Sequence, residues 1–167
     1  MGCGKSKNAK GPNNKKFLRD ALNAHNRYRK LHGSKALKMN KELNTIAQEW
    51  AENIARTGTF EHNTCSYKGQ SLGENLAMRY TSTSEELSGE QMTDQWYEEA
   101  NTYNYNEDFQ TGKGHFAQIV WSDTQQVGFG RAQGSDGKWY AVANYYPAGN
   151  YVGQFRQNVH PPKVDRI

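Results

Sequence analysis

Long hydrophobic runs are missing from this sequence of 167 residues. Its apolar stretches are only a few residues long, whereas a helix that spans a bilayer needs about 20 consecutive apolar residues. We therefore expect no membrane-spanning segment. Hydrophobic residues make up 35% of the chain and charged residues 23%, a composition typical of a polar but folded domain. The length fits a single domain behind a short tail.

Cysteines and secretion signals are also scarce. The two cysteines are Cys3 and Cys65, and a disulfide between a terminal tail and a mid-chain loop would be an unusual way to staple a domain. The N-terminus has no apolar segment of the kind that signal peptides carry, and no Asn-x-Ser/Thr acceptor occurs. These absences favour the reducing cytosol, with an extracellular location as the alternative. Cys65, without a fixed His or Asp partner, is interpreted as a plain thiol.

The positive charge is concentrated at the N-terminus. Residues 1–20 contain six basic residues and one acid, although the whole chain carries only +4. A nucleic-acid-binding domain would more often have a basic face on the fold itself, so we expect no nucleic-acid partner. The segment is instead predicted to meet an anionic membrane surface. Its membrane-facing candidates are Lys5, Lys7, Lys10, Lys15 and Lys16.

Hydrophobic spacing predicts helices first and strands later, which indicates an α+β fold. The predicted helices cover residues 16–32, residues 40–57 before Gly58, and residues 84–103. Residues 59–80 look irregular, with a short helical turn from Glu74 to Met78. Strands are predicted over residues 115–121, 127–132 and 139–146, with a hairpin turn over 133–138. The glycines form neither a GxGxxG pattern nor a P-loop, so no mononucleotide site is expected.

Several segments are similar, in order, to the motifs of the CAP superfamily (cysteine-rich secretory, antigen 5 and pathogenesis-related proteins). They are LNAHNRYR (22–29), SLGENLA (71–77), QWYEEANTYNY (95–105), GHFAQIVW (114–121) and NYYPAGNY (144–151). The resemblance covers roughly residues 17–162. It implies a CAP-type α-β-α sandwich with a small antiparallel sheet between helical layers. Residues 1–15 are then a flexible basic tail, and residues 16–167 are the CAP domain.

Within the superfamily the chain most resembles the Golgi-associated plant pathogenesis-related branch. It shares the initial Met-Gly and the stretch VHPPK at residues 159–163. The branch implies a position on the cytosolic face of membranes, at the Golgi, and self-association as a homodimer. Lipid, sterol or an unidentified protein are the partners that this resemblance suggests.

The resemblance also implies a central cleft built from two histidines and two glutamates, which here are His62, Glu74, Glu99 and His115. The two imidazoles are expected to hold a divalent metal, often assigned as zinc, while the carboxylates orient the rings or bind a water. Spacing alone does not predict this site, because 53 residues separate the two histidines. The alternative is that both histidines are structural and hydrogen-bonded at the edge of the core.

Helical phase distinguishes Glu99 from its neighbour Glu98. Glu99 shares the apolar stripe of the third predicted helix with Trp96 and Tyr103, whereas Glu98 belongs to the polar face. A carboxylate on the inward stripe needs a partner, because burial of an unpaired charge is costly. His25 is assigned to structure, since it lies within the first predicted helix.

The first six residues fit the pattern for N-myristoylation of Gly2, and the adjacent Cys3 is positioned for S-palmitoylation. One myristoyl chain binds membranes only marginally, so stable anchoring needs a second signal. The second acyl chain and the basic residues are the two candidates for that signal.

The leading interpretation is therefore a non-enzymatic, membrane-surface CAP domain that binds lipid or protein partners and has a divalent-metal cleft. One alternative is a zinc-assisted hydrolase in which Glu74 or Glu99 acts as general base. No oxyanion hole or nucleophile is identifiable in the sequence. The other alternative is a secreted defence-type protein, which the scarce cysteines and the lack of a signal peptide disfavour.

Overall fold

The computed structural model describes residue 3, residues 14–83 and residues 85–163. Its helices are α1 (Asn14–Leu31), α2 (Lys41–Thr57), α3 (Gly89–Tyr97), α4 (Gly114–Val120) and α5 (Phe155–Asn158), and a 3-10 turn (Glu98–Thr102) follows α3. Its strands are β1 (Lys38–Met39), β2 (Ser66–Tyr67), β3 (Gln70–Ser71), β4 (Gly73–Arg79), β5 (Gln126–Gln133) and β6 (Trp139–Tyr146). The expected order of helices first and strands later is wrong, because β1 to β4 precede α3 and α5 follows β6. The predicted α+β class is confirmed, since helices pack against a sheet whose longer strands are all antiparallel.

Helix α2 has the boundaries that its sequence predicts. The Asn40 side chain accepts hydrogen bonds from the backbone N–H groups of Glu42 and Leu43, as an N-cap residue does. Gly58 ends the helix in the left-handed conformation, with φ of 71°. Both ends are therefore set by local side-chain and backbone chemistry.

The main sheet has the strand order β1-β5-β6-β4. Strands β5 and β6 form the predicted hairpin, and β4 pairs antiparallel with the other side of β6. The antiparallel sheet is as predicted for β5, β6 and β4, and the short strand β1 adds a parallel pair with β5, so the sheet is mixed. Strand β1 was not predicted, because a strand of two residues has no periodicity to detect.

The sheet lies between two helical layers, as the sandwich prediction requires. Alternate residues of β4 and β6 face opposite layers: Leu76 and Val142 pack with α2, whereas Ala77 and Ala143 join the larger core beneath α1, α3 and α4. On β5 the α2 face carries glycine at alternate positions. A Cβ on Gly130 would overlap the backbone of α2, so this glycine allows the helix to lie directly on the strand.

Three predicted elements are wrong in type or length. Residues 114–120 form helix α4 and not a strand, and residues 73–79 form strand β4 and not a helical turn. The third helix begins after Ser88, whose side chain forms a capping box with Gln91, and it gives way to the 3-10 turn at Glu98. Short apolar runs are ambiguous between helix and strand when they are buried on all sides.

The N-terminal predictions are only partly covered by the described residues. Gly2, Lys5, Lys7 and Lys10 lie outside them. Lys15 and Lys16 belong to the first turn of α1, and Lys16 pairs with Asp20 at 2.6 Å. Among the residues described, no helix is long and apolar enough to cross a bilayer.

The interpretation of Cys65 as a plain thiol is wrong, because Cys65 forms a disulfide with Cys3. The two residues are 62 positions apart in the sequence, and only the folded chain brings them together. S-palmitoylation of Cys3 stays a prediction, and in any one molecule it excludes the disulfide.

Candidate metal cleft with two histidine–glutamate pairs

The first pair is formed by Glu74 near the start of β4 and His62 in the preceding loop. The Glu74 Oε1 atom lies 2.8 Å from Nδ1 of His62 and accepts a hydrogen bond from the backbone N–H of Asn63 at 2.9 Å. Its other oxygen accepts from the Asn144 amide at 3.0 Å, because the β4–β6 register places Asn144 directly opposite. The Glu74 side chain is only 5% exposed and the His62 side chain 65%, so a buried carboxylate holds an exposed ring.

The second pair is formed by Glu99 in the 3-10 turn and His115 in the first turn of α4. The Glu99 Oε2 atom lies 2.8 Å from Nδ1 of His115, and Oε1 accepts from the backbone N–H of Phe116 at 2.9 Å. Glu99 thus caps α4 while it orients the ring. The ring of Trp96 lies nearly parallel to that of His115 at 6.2 Å. Glu98 is exposed, as helical phase predicts.

Both pairs are attached to the same end of the edge strand β4. Glu74 belongs to the first pair, and the next residue, Asn75, donates a hydrogen bond to the carbonyl of His115 at 3.1 Å. Successive side chains of a strand point to opposite faces. The strand therefore contacts one pair through Glu74 and the other through Asn75.

A buried polar network supports this end of the sheet from behind. The Asn75 amide also donates to the hydroxyl of Tyr145 at 3.2 Å, and that hydroxyl lies 2.7 Å from Nε2 of His25. Nδ1 of His25 lies 2.8 Å from the carbonyl of Ala21, which can only accept, so Nδ1 carries the proton and Nε2 accepts from Tyr145. Complete burial lowers the pKa of His25 to about 3, and His25 is structural, as predicted.

The same reasoning assigns the tautomers in the cleft. Because a carboxylate can only accept, Nδ1 of His62 and of His115 each carries a proton, and Nε2 is left with its lone pair. Among the described residues neither Nε2 atom has a hydrogen-bond partner. The hydrogen bond that the His62 ring donates to Glu74 raises the pKa of His62 above its ordinary value, since it favours the protonated ring.

The donor chemistry of the cleft fits a divalent metal such as zinc. A ligating histidine usually gives its second ring N–H to a carboxylate, which fixes the ring and leaves the other nitrogen free, and both pairs have this arrangement. Within the described part of the chain no group of three or more His, Cys, Asp or Glu residues is placed to hold a metal ion. Two imidazoles would therefore be the only protein ligands, which leaves open positions for water or substrate.

Three asparagines also support the site. Sequence reasoning missed Asn63, Asn75 and Asn144, because their roles depend on strand pairing and loop contacts that no local pattern records.

His160 is exposed and outside the cleft. A depression of about 890 Å³ lies elsewhere, beside Ser34, Trp121 and Pro147.

Comparison with known proteins identifies the family. The model of the CAP family, described as the cysteine-rich secretory protein family, matches residues 22–145. Human Golgi-associated plant pathogenesis-related protein 1 is 43% identical over 152 residues, which cover 89% of this chain and 96% of the human protein. Protein PRY2 of Saccharomyces cerevisiae is 36% identical over 149 residues, or 87% of this chain, and the chain spans only 41% of that yeast protein.

Solved structures share the fold. Venom allergen-like protein 4 of Schistosoma mansoni superposes with a TM-score of 0.68 at 23% identity, covering 90% of this chain and 97% of that chain. NaASP2, crystallised with Zn²⁺, superposes with a TM-score of 0.65 at 22% identity, covering 92% of this chain and 90% of that chain. The matched family model, the human relative and the ordered motifs together show that this chain belongs to the CAP family.

Proposed function

We propose that this protein is a non-enzymatic CAP-domain binding module, held at the cytosolic surface of membranes, whose cleft takes up a divalent metal through His62 and His115. The observation that carries the proposal is the paired arrangement of the cleft, in which Glu74 and Glu99 bind Nδ1 of the two rings and leave both Nε2 atoms free. A bound metal would supply Lewis acidity and open coordination positions for a ligand.

The state of the carboxylates supports a binding role over hydrolysis. Glu74 already accepts hydrogen bonds from His62, Asn63 and Asn144, and Glu99 accepts from His115 and Phe116. A carboxylate has about four acceptor sites, so these bonds use most of the sites of Glu74 and half of those of Glu99. Carboxylates engaged in this way act to orient the histidines.

Zinc titration of the purified protein tests the metal cleft. One site per chain is expected, and it should weaken as the pH falls through and below about 6.5, because a protonated imidazole is not a ligand. Because the pKa of His62 is raised, zinc binding should begin to weaken at a higher pH than it would with an ordinary imidazole. The double variant His62→Ala/His115→Ala should lose the site, whereas His160→Ala, which removes an exposed histidine elsewhere, should keep it. Equal zinc binding by the double variant would refute the assignment.

The choice between module and hydrolase is tested by Glu74→Gln and Glu99→Gln, which keep side-chain size but cannot act as bases. A screen of peptide and lipid-ester hydrolysis with added zinc should give no turnover in the unmodified sequence or in either variant. Zinc-dependent turnover that disappears in a variant shown to be folded by circular dichroism would favour the hydrolase.

Membrane attachment is supported by the Gly2–Cys3 pattern, by the basic N-terminus and by the human relative, whose name describes it as Golgi-associated. In cells, Gly2→Ala should move the protein from the membrane fraction to the soluble fraction. Gly4→Ala is the matched control, since it changes a neighbouring glycine and leaves the acylation pattern intact. Equal membrane recovery of Gly2→Ala and the unmodified sequence would contradict anchoring through this residue.

A further inference from the structure

Cys3 is attached to the body of the domain. It forms a disulfide with Cys65, and its backbone N–H donates a hydrogen bond to the carbonyl of Ser66 in β2 at 3.1 Å. Cys3 is thus held by a covalent bond and by a main-chain contact at the same point.

The surface that receives Cys3 is partly apolar. Both cysteines pack against the cluster of Leu43, Ile46 and Tyr67, which lies at the N-terminal half of α2. A depression of about 190 Å³ adjoins the disulfide and is also lined by Trp50. Cys3 therefore has a defined contact surface on the domain.

Cys3 is also the residue at which the sequence predicts a second acyl chain beside Gly2. A sulfur atom in a disulfide cannot carry a thioester, so the two states exclude each other. Stable anchoring takes a second signal besides one myristoyl chain, and the state of Cys3 decides whether the second acyl chain can be added.

We propose that Cys3 and Cys65 form a thiol–disulfide switch that competes with S-acylation of Cys3. Oxidation holds Cys3 on the domain and blocks its acylation, whereas reduction frees the Cys3 thiol for a second acyl chain. The inference rests on the proposed membrane function and names its regulation. Cytosolic thiols are kept reduced for most of the time, so a disulfide at this position responds to oxidising conditions.

The chemistry balances with a small-molecule disulfide such as oxidised glutathione as the oxidant. One cysteine thiolate attacks the disulfide and expels a glutathione thiolate, and the second cysteine then attacks the mixed disulfide and expels the other. The cysteines lose two electrons and two protons, which leave with two glutathione thiols. In the competing reaction the Cys3 sulfur attacks the carbonyl of an acyl-coenzyme A thioester and expels the coenzyme thiol, which takes the proton.

The first experiment equilibrates full-length, unacylated protein with mixtures of reduced and oxidised glutathione and measures its intact mass. The unmodified sequence should lose two hydrogen atoms as the internal disulfide forms. Cys65→Ser should instead accumulate the glutathione adduct at Cys3, which shows that Cys3 can exchange but lacks its partner. If the unmodified sequence gives only glutathione adducts at every ratio, the proposal is overturned.

The second experiment exposes the same proteins to palmitoyl-coenzyme A and maps the modified residue by mass spectrometry. Cys3 should be acylated in the reduced protein and in reduced Cys65→Ser, and acylation should be lost in the oxidised protein. Equal acylation of Cys3 in the oxidised and reduced forms would overturn the switch. Vesicle binding of the acylated product is measured separately, so a failure of the membrane function is distinguishable from a failure of the switch.

Discussion

Protonation of His25 is expected to make the fold sensitive to mild acid. His25 is fully buried, and its neutral ring accepts a hydrogen bond from Tyr145 through Nε2. A proton on Nε2 would take away the acceptor to which the Tyr145 hydroxyl donates. That hydroxyl already accepts a hydrogen bond from Asn75, so two donors would then point at it. Burial therefore lowers the pKa of His25 from 6.5 to about 3.

The sign and size of the effect follow from linkage. Between pH 6.5 and pH 3 the unfolded chain binds a proton at this position and the folded chain does not, so acid favours unfolding. Each pH unit below 6.5 costs about 1.4 kcal/mol, which gives about 2 kcal/mol at pH 5. For a domain of this size that loss lowers the melting temperature by roughly 4–8 °C. Burial also lowers the pKa of His32, which adds a loss of the same sign.

Thermal unfolding followed by circular dichroism at pH 7, 6 and 5 measures this slope. The variant His25→Gln removes the titrating group, so its stability should fall less steeply over the same range, whatever its stability at pH 7. His160→Gln changes an exposed histidine and should keep the original slope. An unchanged slope in His25→Gln would show that this ring does not carry the acid sensitivity and would refute the reasoning.

Three further results are expected. Glu99→Gln should weaken zinc binding about 10- to 100-fold in a calorimetric titration, because the amide no longer orients and polarises His115 as a carboxylate does; an unchanged affinity would argue against this pairing. Gly130→Ala should lower the free energy of unfolding by about 1–3 kcal/mol in urea denaturation, because the new Cβ would overlap the backbone of α2 at Gln48. An unchanged free energy of unfolding would mean that α2 can shift to make room for the side chain. Cys3→Ser should lower the free energy of unfolding by up to about 4 kcal/mol under oxidising conditions, because the disulfide restrains the unfolded chain. With reductant present the loss should be small. Equal losses in both conditions would contradict a stabilising role of the disulfide.

The resemblance to the CAP family predicted more of the cleft than residue patterns did. That resemblance implied His62, Glu74, Glu99 and His115, whose spacing carries no geometric information. Helical phase separated Glu99 from its neighbour, and the structure confirms that Glu99 is the residue bonded to His115. Asn75 was not predicted as a support, because its contact with the His115 carbonyl joins residues 40 positions apart.

Local chemistry in the sequence was enough to specify some parts of the fold. Asn40 and Gly58 delimit α2, and the turn over residues 133–138 joins β5 and β6, because capping and turn conformations depend on a few adjacent residues. Tertiary structure alone decided that residues 114–120 are helical and residues 73–79 a strand, since a short buried apolar run satisfies either period. It also decided the disulfide of Cys3, because only the fold brings a cysteine near the start of the chain to one 62 positions away.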